Sequence, residues 1–274
     1  MLSITIGILI RIFSNSYLNV FQKLLTQKGE SSSVINFYTY LGLTIIGLLF
    51  CQKPIFSIDL LGIVMIMGLL GSLGNYFIIK ALSNGELSGL APINSYKPII
   101  ALILGIILLN EIPQTLDLLG IIFIILGTII LNNTQNIYNK ATLYRFIALI
   151  LSGTEAIFIK KLIIATNINS AFLYWAIAGL FFSSTYVLIS KHPIALKKTN
   201  INCQILIIIM VALMQYSTNY VFSKMNVAYA LALFQLSTII SVFLGINIFK
   251  EKGLATKLLA TFIMIFGAVL ILIT

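Results

Sequence analysis

Long apolar runs separated by short polar breaks dominate the chain. Ten such runs cover residues 3–25, 33–51, 60–82, 88–109, 117–132, 143–164, 168–190, 203–224, 228–249 and 254–273. Each approaches the roughly 20 residues that carry a helix across a hydrocarbon core about 30 Å thick. The runs are too continuous for barrel strands, and lipid offers no other way to satisfy the backbone, so all ten are predicted as helices. The breaks are short and polar, as in Gln27-Lys28-Gly29-Glu30, Asn132-Asn133-Thr134-Gln135-Asn136 and residues 191–202. Connections of that length make neighbouring helices antiparallel.

Composition sharpens this into an integral membrane protein. Hydrophobic residues make up 59% of the 274 and charged residues 9%, with mean hydropathy +1.07. Soluble domains carry about 25% charged residues. The ten runs take up about 210 residues and leave about 64 for connections and ends, too few for a soluble or nucleotide-binding domain. The net charge is +10, from 17 Lys+Arg against 7 Asp+Glu. These basic residues stand mostly singly at helix ends, which is the pattern of membrane flanks and not of a nucleic-acid surface. Cys51, Cys203 and the single histidine, His192, offer no metal spacing, so neither a metal nor another cofactor is expected. The first run is broken by Arg11 and does not read as a cleavable leader.

The chain also repeats itself. Asn75-Tyr76 followed by Lys80 recurs as Asn219-Tyr220 followed by Lys224. Leu104-Gly105-Ile106 leading to Glu111 recurs as Leu244-Gly245-Ile246 leading to Glu251. Leu118, Leu119, Ile125 and Gly127 return as Leu258, Leu259, Ile265 and Gly267 at the same offset of 140. Two halves follow, 1–135 and 136–274, of five helices each. Five is odd, so the second half enters the membrane from the opposite side. The expected fold is all-α, ten transmembrane helices as two inverted five-helix repeats, an arrangement that puts a solute site near the midplane.

The run Ala91-Pro92-Ile93-Asn94-Ser95-Tyr96-Lys97-Pro98, leading to Leu109-Asn110-Glu111, together with this architecture, resembles the drug/metabolite transporter superfamily, EamA type. The resemblance covers nearly the whole chain. It implies metabolite or amino-acid transport by alternating access. It also implies a cavity lined by helices one, three and four of each half, with two and five outside. The halves differ where the cavity would lie. Ser237 answers Lys97 and Thr238 answers Pro98, so the cavity is not chemically symmetric. Orientation stays open. Loop counting puts about eleven Lys/Arg on one side and about four on the side of the termini, which places the termini outside; the resemblance places them inside.

Charges inside hydrocarbon are costly. Arg11, Lys97 and Glu155 are the central ones. In helix one Arg11, Asn15, Asn19 and Lys23 recur every four residues and share a face. They read as a wet cavity wall or as a polar seam between helices. Lys97, with Asn94, Ser95 and Tyr96 around it and Pro98 after it, is the candidate for an anionic group such as a carboxylate. Glu155 is the candidate for a substrate amine or a coupling proton; a structural Lys97–Glu155 pair is the plain alternative. Asn75, Tyr76, Gln215, Asn219, Tyr220 and Gln235 complete the candidate substrate-binding set. Lys23, Lys80, Lys160, Lys161 and Lys224 are read as snorkelling to headgroups. Trp175, with Tyr174 and Phe172, is read as an interfacial belt.

These residues point to a secondary transporter of a small polar metabolite, best an amino acid or similar zwitterion, in the cell's inner or plasma membrane. Its partners are that solute and the lipid; monomer and homodimer are both open. The alternatives are an exporter of organic cations or lipophilic amines centred on Glu155, and a non-transporting scaffold or receptor. An enzyme is not expected, because no nucleophile–base or acidic pair stands in the spans.

Overall fold

A computed structural model describes residues 2–55, 57–97, 99–100, 103–104, 115–132, 139–190 and 196–270. The sequence readings at Pro98, Gly105, Ile106, Leu109 to Glu111, Asn133 to Asn136 and His192 lie outside these residues. Among the described residues the regular structure is all helical, with no strands. The elements are α1 (Leu2–Gln27), α2 (Ser32–Phe50), α3 (Leu61–Asn84), α4 (Leu87–Leu90), α5 (Thr115–Asn132), α6 (Lys140–Ala165), α7 (Ile168–Ser190), α8 (Ile201–Lys224), α9 (Val227–Phe234), α10 (Ser237–Phe249) and α11 (Leu254–Leu270). Six stretches are long and apolar enough to cross a membrane: Ser3–Gln27, Ser32–Phe50, Ile58–Asn84, Ile168–Ile189, Lys198–Lys224 and Ala230–Phe249. Shorter apolar helices stand at Leu118–Gly127 and Leu254–Leu270. The chain is a multi-pass membrane protein.

Local chemistry sets the ends of these helices. Gly29, at φ 84°, closes α1, with the Glu30 amide donating to the Leu25 carbonyl and the Gly29 amide to Thr26. That paired pattern needs a left-handed residue, which glycine adopts without cost. Ser31 caps α2, Asn139 caps α6 and Asn226 caps α9, each accepting a backbone N–H of the first turn.

Two interruptions bear on the site. Among its described residues the fourth expected helix begins as α4; residues Ala91–Tyr96 then form a 3-10 turn with Pro92 at its start, and positions 97, 99–100 and 103–104 are helical again. Proline has no N–H to give the preceding turn, so the ladder tightens there. The ninth helix is broken as well. Between α9 and α10 the Gln235 and Leu236 amides donate to Ala232 and Leu233, three residues back, with no proline present.

Packing pairs the elements as α3 with α6, α1 with α8, α2 with α7 and α5 with α11. Glycines let several of these come close, as at Gly127, where an added Cβ would meet Met264 and the Ala260 carbonyl. The core runs between α2, α3, α6, α7 and α8, around Tyr40, Met67, Ile159, Trp175 and Phe222. Leu48, Leu49, Phe50, Leu188 and Ile189 point outward, apolar and exposed, as lipid-facing side chains do.

Candidate functional site

Polar side chains from several helices converge on one buried cavity of about 100 Å³. Helix α1 gives it Arg11, Asn15, Asn19 and Gln22; α3 gives Gly71 and Asn75. The segment after α4 contributes Asn94 and Lys97, and α6 contributes Arg145, Ser152 and Glu155. Gln215 and Thr218 come from α8, and Gln235 and Ser237 from the break between α9 and α10. Phe222, Leu231 and Phe234 form an apolar wall. No described residue of α5 or α11 lines it.

The four-residue spacing in α1 works as a wall. Arg11 lies over the Phe234 ring, 5.0 Å from guanidinium carbon to centroid, and its Nε and Nη1 have no hydrogen-bond partner among the described residues. Asn15 donates to Ser237 Oγ at 3.0 Å, and Ser16 Oγ donates to the Ser237 carbonyl at 2.9 Å. Helix α1 is thereby tied to the broken backbone at residue 237. A second chain of amides crosses three helices: Gln22 donates to Asn75 at 3.0 Å, Asn75 to Asn36 at 2.7 Å, and Asn36 to the Ser72 carbonyl at 3.0 Å. Buried amides joined in this way fix the spacing of α1, α2 and α3.

Glu155 is held, but not by a cation. Its Oε1 accepts the Trp175 indole N–H at 2.5 Å. The Trp175 ring in turn lies 5.1 Å from that of Tyr40. Gly71 makes room for this pair, because a Cβ there would stand on the carboxylate and 2.8 Å from the indole nitrogen. Lys97 makes no hydrogen bond or ion pair to a described residue, yet lies within electrostatic reach of Arg11, Arg145 and Glu155. Arg145 is 3% exposed, and its Nε and Nη1 are also without a hydrogen-bond partner.

Of the sequence-selected residues, Lys97, Glu155, Asn15, Asn19, Asn75, Gln215 and Gln235 meet at this cavity. Four stand elsewhere. Tyr76 stacks on Tyr186 at 5.9 Å and accepts from Lys80. Tyr96 packs edge-on against Phe146. Asn219 accepts from Gln215 at 2.9 Å, behind the wall. Tyr220 lines a separate apolar groove of about 490 Å³ with Ile6, Gly7 and Tyr216.

Three readings change. Trp175 is 5% exposed and bonded to Glu155, so it belongs to the cavity and not to an interfacial belt. With Thr39 and Tyr40 it brings the second helix of each half to the wall, where the resemblance implied only helices one, three and four. Arg145 stands outside the sequence-derived set, although Arg145, Ser152, Glu155 and Ile159 recur at helical spacing as clearly as the α1 series. Two of the lysines do not snorkel. Lys23 is buried, pairs with Glu251 at 2.6 Å and donates to the Gly85 carbonyl at 2.9 Å. Lys160 donates to the Phe222 and Met225 carbonyls at the end of α8.

At one end of the bundle Glu251 also accepts the Leu87 and Ser88 amides at 2.8 and 2.7 Å. Beside it Lys257 pairs with Glu86 at 2.5 Å and donates to Ser88 Oγ at 2.7 Å. These contacts fasten the ends of α1 and α3 and the start of α4 to the α10–α11 connection.

A family model described as the EamA-like transporter family matches residues 2–133. One solved crystal structure aligns with 97% of this chain and 96% of its own, with TM-score 0.69 at 11% identity, a likeness of fold. No curated protein matches the chain by sequence.

Proposed function

We propose, from the premise that the chain belongs to the EamA-like transporter family of the drug/metabolite transporter superfamily, that it moves a small zwitterionic metabolite such as an amino acid by alternating access. The observation that carries this reading is the meeting of Lys97 and Glu155, opposite charges from different halves of the sequence, at one buried cavity. Lys97 holds the carboxylate and Glu155 the amine or a coupling proton. Asn15, Asn19, Gln215 and Gln235 supply hydrogen bonds around them.

Alternating access needs two units that rock against each other, and the packing supports inverted repeats 1–135 and 136–274. Contact between α3 and α6 is matched by contact between α8 and α1, while α2–α7 and α5–α11 each join equivalent helices. Adding 140 to Ser95 and Tyr96, at the end of the first break, gives Gln235 and Leu236 in the second. Both interruptions sit beside the cavity, where irregular backbone is tolerated in membranes.

The test is flux in proteoliposomes. Lys97→Ala abolishes solute exchange while the protein elutes as a folded species in detergent; normal exchange in that variant refutes the carboxylate contact. Glu155→Gln keeps exchange and loses accumulation driven by an imposed pH difference. Loss of exchange as well assigns Glu155 to the amine instead. Export of organic cations centred on Glu155 has one observation in its favour, the Trp175–Tyr40 aromatic pair beside the carboxylate. The three cations around it oppose that reading, and flux of a lipophilic amine would reverse the choice.

A further inference from the structure

The charges of the cavity do not balance. Arg11, Lys97 and Arg145 face it against a single carboxylate, Glu155, among the described lining residues. That carboxylate already accepts the Trp175 N–H, and no described cation is paired with it. The unmade hydrogen bonds have the same sense. Among the described residues Arg11 Nε and Nη1, Arg145 Nε and Nη1, and Asn19 Nδ2 have no hydrogen-bond partner. Donors far outnumber acceptors, since Gln22 Oε1 is the one acceptor-only atom of the wall in the same state. Burying a guanidinium without its hydrogen bonds is costly. A carrier site recovers that cost when a solute brings the acceptors. One carboxylate on Lys97 satisfies neither arginine, and the two arginines stand on different helices, α1 and α6.

Size limits the solute. A water's share of liquid volume is about 30 Å³, so a cavity of about 100 Å³ admits only a short solute. We infer that the preferred solute is a short skeleton bearing two carboxylates, an acidic amino acid or a plain dicarboxylate, with Arg11, Lys97 and Arg145 dividing the two anionic ends. The inference rests on the transporter reading above; an acidic amino acid narrows its zwitterionic class, and a plain dicarboxylate replaces that class. An ammonium on the same skeleton would fall to Glu155.

The test is counterflow of labelled aspartate, succinate, alanine and glycerol 3-phosphate in proteoliposomes holding the full chain. Aspartate or succinate is exchanged at least about ten-fold better than alanine. Exchange of both means that the two carboxylates suffice; aspartate alone means that Glu155 also reads the ammonium. In Arg145→Gln and in Arg11→Gln the ratio of aspartate to alanine exchange falls by about 10- to 100-fold, the loss of one charged hydrogen-bonded contact. Arg145→Lys recovers part of that ratio, which a purely structural arginine would not do. Better exchange of alanine than of either dicarboxylate overturns the inference and leaves the transporter reading standing. Exchange of glycerol 3-phosphate alone also overturns it, since one compact dianion would then satisfy the site. No exchange of any of the four by the folded wild-type protein defeats both. Should the arginine variants not fold, the wild-type preference still decides.

Discussion

Trp175 is the only tryptophan of the chain, and its indole N–H rests on the carboxylate that the proposed mechanism uses. Its fluorescence is therefore a built-in report on Glu155. Solute binding should change the emission intensity, and Glu155→Gln should shift the emission of the free protein; a spectrum indifferent to both would detach Trp175 from the site. Gly71→Ala tests the same spot sterically. The added methyl has to displace the carboxylate or the indole, at an overpacking cost of about 1–3 kcal/mol. Lowered flux and a lowered unfolding temperature are expected together. The α1 face was legible because Arg11, Asn15 and Asn19 keep helical spacing in an otherwise apolar run. Arg145 carries the same signal with Ser152 and Glu155, but it stands two residues after the expected start of its span, where an arginine usually marks an interface. Trp175 reads as a belt in sequence because it stands near one end of helix seven, which the resemblance puts outside; the packing of α7 against α3 reverses that.

At the scale of elements, the α10–α11 connection holds the beginning of the fourth helix through one side chain. Burial pushes the Glu251 carboxyl up, but hydrogen bonds from Lys23 and Ser88 and the Lys23 charge outweigh it and leave the carboxyl below the usual Glu range. A folded-state value below the unfolded one adds stability that is fully present above the unfolded pKa, about 4.3, and lost as pH falls through the folded value. Thermal unfolding in detergent should therefore drop to lower temperature as pH is taken below about 4.3. Glu251→Gln should start lower at neutral pH and show less of that drop. An unchanged pH dependence in the variant would remove Glu251 from this role. No sequence pattern points to the pair, because Lys23 and Glu251 are 228 positions apart and each alone looks like an interfacial charge. The helix breaks were half legible. Proline marked the first half, though the distortion begins at Pro92, whereas Gln235 and Leu236 bear no such mark.

For the whole molecule, the apolar runs marked where the described helices lie, since burying about 20 residues in lipid leaves the chain little choice. Helix partners were beyond its reach, because in a membrane close packing of small residues selects them, and apolar sequence barely encodes it. The proposed ten alternating crossings predict that Lys53 and Lys252 lie on opposite faces. With Cys51 and Cys203 replaced, single cysteines at those two positions should react with an impermeant maleimide from opposite sides of intact vesicles. Reaction from one side would refute the inverted arrangement. The charge count expects position 252 on the cytoplasmic side.

The excess of cations around the cavity also sets how the carrier would respond to voltage. An acidic amino acid carries one net negative charge and a plain dicarboxylate two; the dicarboxylate gains or loses about 4.6 kcal/mol across 100 mV, more than a thousand-fold in concentration ratio. An inside-negative potential drives such a solute outward, and a single proton on Glu155 offsets only half of that force. Efflux from proteoliposomes should quicken when a potassium gradient with valinomycin makes the interior negative, whereas uptake would need at least a second positive charge to travel with the solute.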